Sequence, residues 1–235
     1  LLVSCNEVGT EVESPVIGGN GLTPGRFAYP RAMDVDPQTN TILVVDKRAR
    51  IQRLASDGTP LQEWSTPTRK NGNPTGIFVD HDGTIFVADT HEHRVLVYES
   101  DGELRTTFGD YGEELGEFIY PTDIARDGQD RLWVSEYGGN DRIQVFADDY
   151  TPLFVAAEDH DFRRPQSLLW SPEHEVMLLS EANGHQLHVL SSEGELVRSI
   201  GGPGHRPGQF SYPYGLALTP EGQVLVAEFG GCRIH

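Results

Sequence analysis

The 235-residue chain sets 18 Lys and Arg against 36 Asp and Glu, a net charge of −18. It therefore lacks the overall basic footprint that releases counterions from a nucleic-acid backbone. Hydrophobic residues make up 37%, enough for a core, while 26 Gly and 15 Pro indicate many tight turns rather than long helices. No apolar run is long enough to span a bilayer, and two cysteines, Cys5 and Cys232, do not make a disulfide framework.

The chain starts Leu1-Leu2-Val3-Ser4-Cys5 and then turns polar. Apolar residues, a small residue and a cysteine resemble the end of a bacterial lipoprotein signal peptide, which makes Cys5 the expected lipid acceptor. Residues 1–10 are read as signal remnant and tether, and 11–235 as one folded domain. This reading places the protein in a bacterial cell envelope, facing out of the cytoplasm, with the lipid as its only membrane contact.

From there the sequence repeats. Pro30, Pro74, Pro121, Pro165 and Pro213 each open the same pattern, at spacings of 44, 47, 44 and 48. A short apolar segment follows each proline, as in Gly76-Ile77-Phe78-Val79 and Gly215-Leu216-Ala217-Leu218. A turn such as Asp80-His81-Asp82-Gly83 leads to a second segment ending in an acid: Asp46, Asp89, Glu136, Glu181 or Glu228. A third begins at Arg94 or Arg142, and a turn such as Asp101-Gly102 leads to the fourth. Short β-branched runs between Gly, Asp and Pro turns, without helical period, read as strands. Four antiparallel strands per unit of about 45 residues match a propeller blade. The fold is expected to be all-β, a β-propeller of four-stranded antiparallel blades.

The openings Tyr29-Pro30, Tyr120-Pro121-Thr122-Asp123 and Tyr212-Pro213-Tyr214-Gly215 resemble the NHL repeat. So do the centres Asp89…Arg94-Val95 and Glu136…Arg142-Ile143. The resemblance runs over residues 11–235 and is weakest in blade four, where Gln186 stands in the place of Arg.

The segments joining blades alternate in length. Those ending at Pro30, Pro121 and Pro213 align without gaps, and those after Trp64 and Val155 are three residues shorter. Alternation of this kind predicts an even count, six blades. Residues 11–17 would then be the outer strand of the last blade, and about four and a half blades would be present, leaving roughly 55 residues of the ring outside the chain.

Antiparallel order places the proline openings, the joints and the second-to-third loops on one face. Residue types that recur in every blade read as scaffold, so the five acids are expected to bond Arg50, Arg94, Arg142, Arg233 or loop amides. The irregular residues on the loop-rich face are the candidate binding site: Tyr29, Arg31, Lys47, Arg48, His91, His93, Tyr120, Tyr137, Asn140, Arg163, Arg164, His185, Tyr212 and Tyr214. Tyr and Arg are the types that dominate interface hot spots. His91 and His93 read as an exposed loop pair and not as metal ligands. Lys47, Arg48, Arg50, Arg53, Arg69 and Lys70 crowd blade one, where a phosphate or acidic partner would be sought, although −18 overall favours a solvated surface.

The resemblance also bears on catalysis. Peptide-amidating lyases, similar propellers, carry zinc-binding His directly after the opening proline of two blades, whereas Arg31, Thr75, Thr122, Gln166 and Tyr214 stand here. The Glu-Gly-Pro opening of calcium-dependent gluconolactonase-like propellers is absent, as are a Gly-x-Ser-x-Gly elbow and a phosphate loop. The expected function is non-catalytic: a monomeric propeller binding a protein or small ligand on its loop-rich face, without cofactor, metal or nucleic acid. The alternative is a lyase or hydrolase with a metal-assisted site at the channel mouth.

Overall fold

A computed structural model describes residues 16–235, so Cys5, the tether and residues 11–15 lie outside the described residues. Five antiparallel sheets follow one another along the chain. Blade one comprises β1 (Pro30–Asp36), β2 (Thr41–Asp46), β3 (Arg50–Leu54) and β4 (Pro60–Ser65). Blade two comprises β5 (Gly76–Val79), β6 (Ile85–Asp89), β7 (Arg94–Tyr98) and β8 (Leu104–Phe108). Blade three comprises β9 (Pro121–Arg126), β10 (Leu132–Glu136), β11 (Arg142–Phe146) and β12 (Pro152–Ala156). Blade four comprises β13 (Pro165–Ser171), β14 (Val176–Glu181), β15 (Gln186–Ser191) and β16 (Leu196–Gly201). Blade five comprises β17 (Pro213–Leu218), β18 (Val224–Glu228) and β19 (Arg233–Ile234). Among the described residues the helical content is one 3-10 turn, Thr90–Glu92.

Each strand pairs only with its chain neighbours within a blade, and the innermost strands pack in the sequence β1, β5, β9, β13, β17. Four of the prolines begin the innermost strand and Pro74 falls just ahead of it, where the missing N–H removes no ladder bond. Both faces of β2, β6 and β10 are buried throughout, so they read as continuous apolar runs. The core is consequently a series of layers between blades. Leu43, Val45, Ile77, Val87 and Leu96 fill the first seam. Phe86, Val97, Phe118, Val134 and Phe146 fill the second, and Trp133, Ile143, Leu168, Met177 and Leu179 the third.

Arginines pin the same seams on the side of the first-to-second turns. Arg53 bonds Asp36 at 2.6 Å and reaches across to the Ser100 carbonyl at 2.6 Å. Arg126 pairs with Asp80 of the preceding blade at 2.5 Å, and Arg131 with Asp127 at 2.6 Å.

The expectation of six blades with about four and a half present is corrected: the chain forms five. In the fifth, β18 pairs with β19, and His235 exchanges both backbone hydrogen bonds with Val226. No strand runs through residues 16–19, and Ile17 packs with Phe27, Ile42, Val44 and Leu54 of blade one.

The alternating joints have a local cause. Each long joint is a loop closed on itself, with Phe27 N–H donating to Gly19 O at 2.8 Å, Phe118 to Asp110 at 2.7 Å and Phe210 to Gly202 at 2.9 Å. A parallel bridge accompanies each closure. The phenylalanine lies against a glycine of positive φ; a Cβ on Gly109 would stand 2.3 Å from the Phe118 ring. Joint length thus reports loop packing, not the count of blades.

Candidate functional site

The acid that ends each second strand fastens the loop-rich face to its blade. Asp46 accepts from the Ala28 amide at 3.0 Å and from the Arg50 guanidinium at 2.8 Å. Glu136 accepts from the Ile119 amide at 2.7 Å, Arg142 at 2.6 Å and Gln144 at 2.9 Å. Glu228 repeats this with the Ser211 amide at 2.8 Å and Arg233 at 2.9 Å. The backbone completes the tie: Lys47 N–H reaches Tyr29 O, Tyr137 reaches Tyr120, Ala182 reaches Arg164 and Phe229 reaches Tyr212. The second-to-third loops and the residues ahead of each proline therefore meet.

These ties bring many of the sequence-derived candidates together. His91 and His93 both lie against Tyr120, at ring separations of 5.6 and 5.2 Å. Tyr120 contacts Tyr137 at 5.6 Å. The Arg164 guanidinium sits 5.0 Å from the Tyr137 ring and 5.6 Å from that of Tyr214. Tyr214 in turn meets Phe229 at 5.6 Å. The result is a band of π faces and cationic or imidazole groups crossing blades two to five. Its centre is a guanidinium held between two phenols, whose buried Nε has no hydrogen-bond partner. Burial raises the Tyr214 phenol above its ordinary range, with the nearby Arg164 opposing, so it stays a neutral donor.

A second part of the face belongs to blade one. Lys47 Nζ stands 5.4 Å from the Tyr29 ring, and a recess of about 610 Å³ is lined by Tyr29, Lys47, Arg48, Arg69 and Asn73 together with Leu22 and Ala28. Arg31 and Lys70 are exposed nearby in sequence. The remaining candidates divide. His185 and Tyr212 form a separate pair at 4.6 Å, with the Tyr212 amide donating to His185 Nδ1 at 3.1 Å. The Arg163 amide donates to Glu181 at 2.5 Å. Asn140, with its amide oxygen turned to Arg142, accepts at 2.9 Å and is scaffold.

Tyr29, Arg164 and Tyr212 all hold positive φ, at 56°, 63° and 52°. Each directly precedes an opening proline, so the conformation recurs with the repeat and belongs to the scaffold. Two members of the basic cluster also prove structural: Arg50 pairs with Asp46 and Glu63, and Arg53 with Asp36, all largely buried except Glu63.

His91 Nδ1 faces the Asn73 carbonyl at 3.0 Å, and His93 Nδ1 faces the Ile119 carbonyl. Among the described residues the donor atoms that converge are those of His160, Glu181 and His188, all within 4.8 Å of one another. Neither histidine was singled out in the sequence; the available signal was the break in the repeat at Gln186. Also missed were Asp34 and Asp123, whose carboxylates each accept an amide of the next blade, from Val79 at 2.7 Å and Leu168 at 3.0 Å. Burial pushes Asp34 up to about 6 and Asp123 up to about 7, against the amide bonds that lower them.

Comparison with known proteins bears on the family. Residues 71–98, the heart of blade two, match the NHL repeat. Human NHL repeat-containing protein 3 is 26% identical over 164 residues, covering 64% of this chain and 46% of that protein. The Drosophila melanogaster Protein brain tumor is 31% identical over 75 residues, 31% of this chain and 7% of its own length. The chain thus spans about half of the human relative and a small part of the fly one. A streptogramin B lyase structure superposes with a TM-score of 0.68 at 16% identity, covering 87% of this chain and 64% of that one; this likeness shows the fold alone. Together with the repeated Tyr-Pro openings and acid–Arg centres, the sequence matches support an NHL-type β-propeller.

Proposed function

We propose that this NHL-repeat propeller is a non-catalytic binding module that takes an acidic segment of a protein partner on its loop-rich face. One observation carries the reading: the half-buried Arg164 guanidinium, sandwiched between the Tyr137 and Tyr214 rings. A carboxylate is the natural complement of such a fork, and desolvation by the flanking rings strengthens the pair relative to an exposed one. Tyr and Arg anchors inside a ring of less critical contacts are the usual composition of a hot spot. The Lys47, Arg48 and Arg69 recess extends the same preference for negative charge within a chain of net −18, which orients an acidic partner toward this face rather than elsewhere.

The experiment is binding of a fluorescein-labelled oligoglutamate peptide, followed by anisotropy at two salt concentrations. The peptide is expected to bind, more weakly at high salt, with Arg164→Ala costing about tenfold in affinity and Lys47→Ala with Arg48→Ala a further, smaller factor. Equal affinity of wild type and Arg164→Ala would refute the assignment of the face. A labelled single-stranded RNA of the same charge serves as the competing probe, and its preferential binding would redirect the proposal.

The lipid anchor at Cys5 belongs to the same proposal and rests on Leu1–Cys5 alone. Expressed with a bacterial signal peptide, the chain is expected to partition into detergent, and Cys5→Ser to release it; identical partitioning would remove the anchor.

A further inference from the structure

Blade four departs from the other blades where their acids are neutralised. Register places Gln186 opposite Glu181, where Arg142 stands opposite Glu136, Arg94 opposite Asp89 and Arg233 opposite Glu228. Two residues on, His188 takes the place of Gln144, whose amide donates to Glu136 and to the Glu117 carbonyl. Gln52 holds the same place in blade one. Glu181 is therefore a buried carboxylate without the guanidinium that its counterparts have. The Arg163 amide donates to it at 2.5 Å.

What faces Glu181 instead is a pair of imidazoles. His188 is wholly buried, with Nδ1 2.8 Å from Ser199 Oγ. Its Nε2 points at Glu181 Oε2 from 3.2 Å but outside hydrogen-bonding geometry, and it is left without a partner. His160, delivered by the short joint from blade three, stacks edge-on against His188 at 5.1 Å. A cavity of about 210 Å³ opens beside His160 and Phe162.

We propose that His160, Glu181 and His188 form a site for one divalent cation of the zinc type. Two imidazole nitrogens and one carboxylate oxygen are the donors that borderline metals prefer, whereas calcium and magnesium take oxygen alone. Two ligand atoms bound to one tetrahedral zinc lie about 3.3 Å apart, close to the 3.2 Å between Nε2 and Oε2. Ser199 supplies the outer contact that fixes the orientation of a ligating imidazole. Three protein ligands leave a fourth position for water. The cation supplies the positive charge that Arg supplies in the other blades, and it ties the joint after blade three to the third strand of blade four.

The test uses the full chain, stripped with chelator and dialysed, then titrated with Zn²⁺ by calorimetry and with Co²⁺ by visible absorption. One equivalent of Zn²⁺ is expected to bind and raise the thermal midpoint, and Co²⁺ to give the visible bands of a four-coordinate site. His160→Ala and His188→Gln are expected to weaken binding at least about tenfold with circular dichroism unchanged. The second variant restores the residue type that blades one and three carry, so it is expected to fold. His91→Ala with His93→Ala should leave the affinity intact. The proposal is overturned if the wild-type chain takes up no stoichiometric metal, if it binds no better than His160→Ala and His188→Gln, or if the loss follows His91 and His93.

Discussion

At Asp46 a carboxylate with no solvent exposure accepts from an amide of the opening segment and from Arg50 at once. Removing it leaves the buried Arg50 guanidinium with only Glu63 and backbone carbonyls as partners, and Asp46→Ala is expected to cost about 3 kcal/mol in urea unfolding. A cost below about 1 kcal/mol would show the pair to be peripheral. The acids were legible in the sequence because they recur in every blade while a site is needed once. Arg50 and Arg53 were not separable from the exposed Lys47 and Arg48 by sequence, since partners such as Asp36, seventeen residues from Arg53, are assembled by the sheet. His160 was hidden for the same reason, since it lies 28 positions from His188.

Asp123 yields a prediction of opposite sign to the usual carboxylate. Burial lifts it to about 7 in the folded chain from an unfolded value of 3.8, so the folded state holds a proton that the unfolded state has lost. Stability from this group is then present at low pH and falls as pH rises from about 4 to about 7. The difference in urea midpoint between wild type and Asp123→Asn isolates it from other groups. That difference is expected to move in favour of Asp123→Asn over this window, and a constant difference would contradict the burial argument.

Among the elements, strand positions were readable because proline punctuates them: Pro30, Pro121, Pro165 and Pro213 each begin a strand, and Pro74 falls just ahead of β5. The long joints were readable as repeats but not as structure. Their equal lengths come from a phenylalanine closing onto a glycine, a packing event that sequence alignment registers only as spacing. Phe118 is fully buried between blades two and three, and Phe118→Ala is expected to cost about 3–5 kcal/mol. Gly109→Ala is expected to destabilise as well, because its Cβ would meet that ring at 2.3 Å from a backbone at φ +84°. Unfolding midpoints unchanged by either substitution would show that the joint is not the wedge its geometry implies.

For the whole molecule, five sheets in sequence give the chain two unlike faces. One carries Asp-rich first-to-second and third-to-fourth turns pinned by Arg53, Arg126 and Arg131. The other collects the openings, joints and second-to-third loops, with the aromatic and cationic band. Which residues belong to the second face was legible from strand order; that Tyr120, Tyr137, Arg164 and Tyr214 touch was not, because they come from separate blades. Hydrogen–deuterium exchange with and without saturating oligoglutamate tests the binding face most directly. Protection is expected at residues 47–49, 90–93, 137–141 and at the openings around Arg164 and Tyr214, with the turns at 80–84, 99–103 and 127–131 unchanged. Protection confined to those turns, or none on either face, would contradict the proposed role of the loop-rich surface.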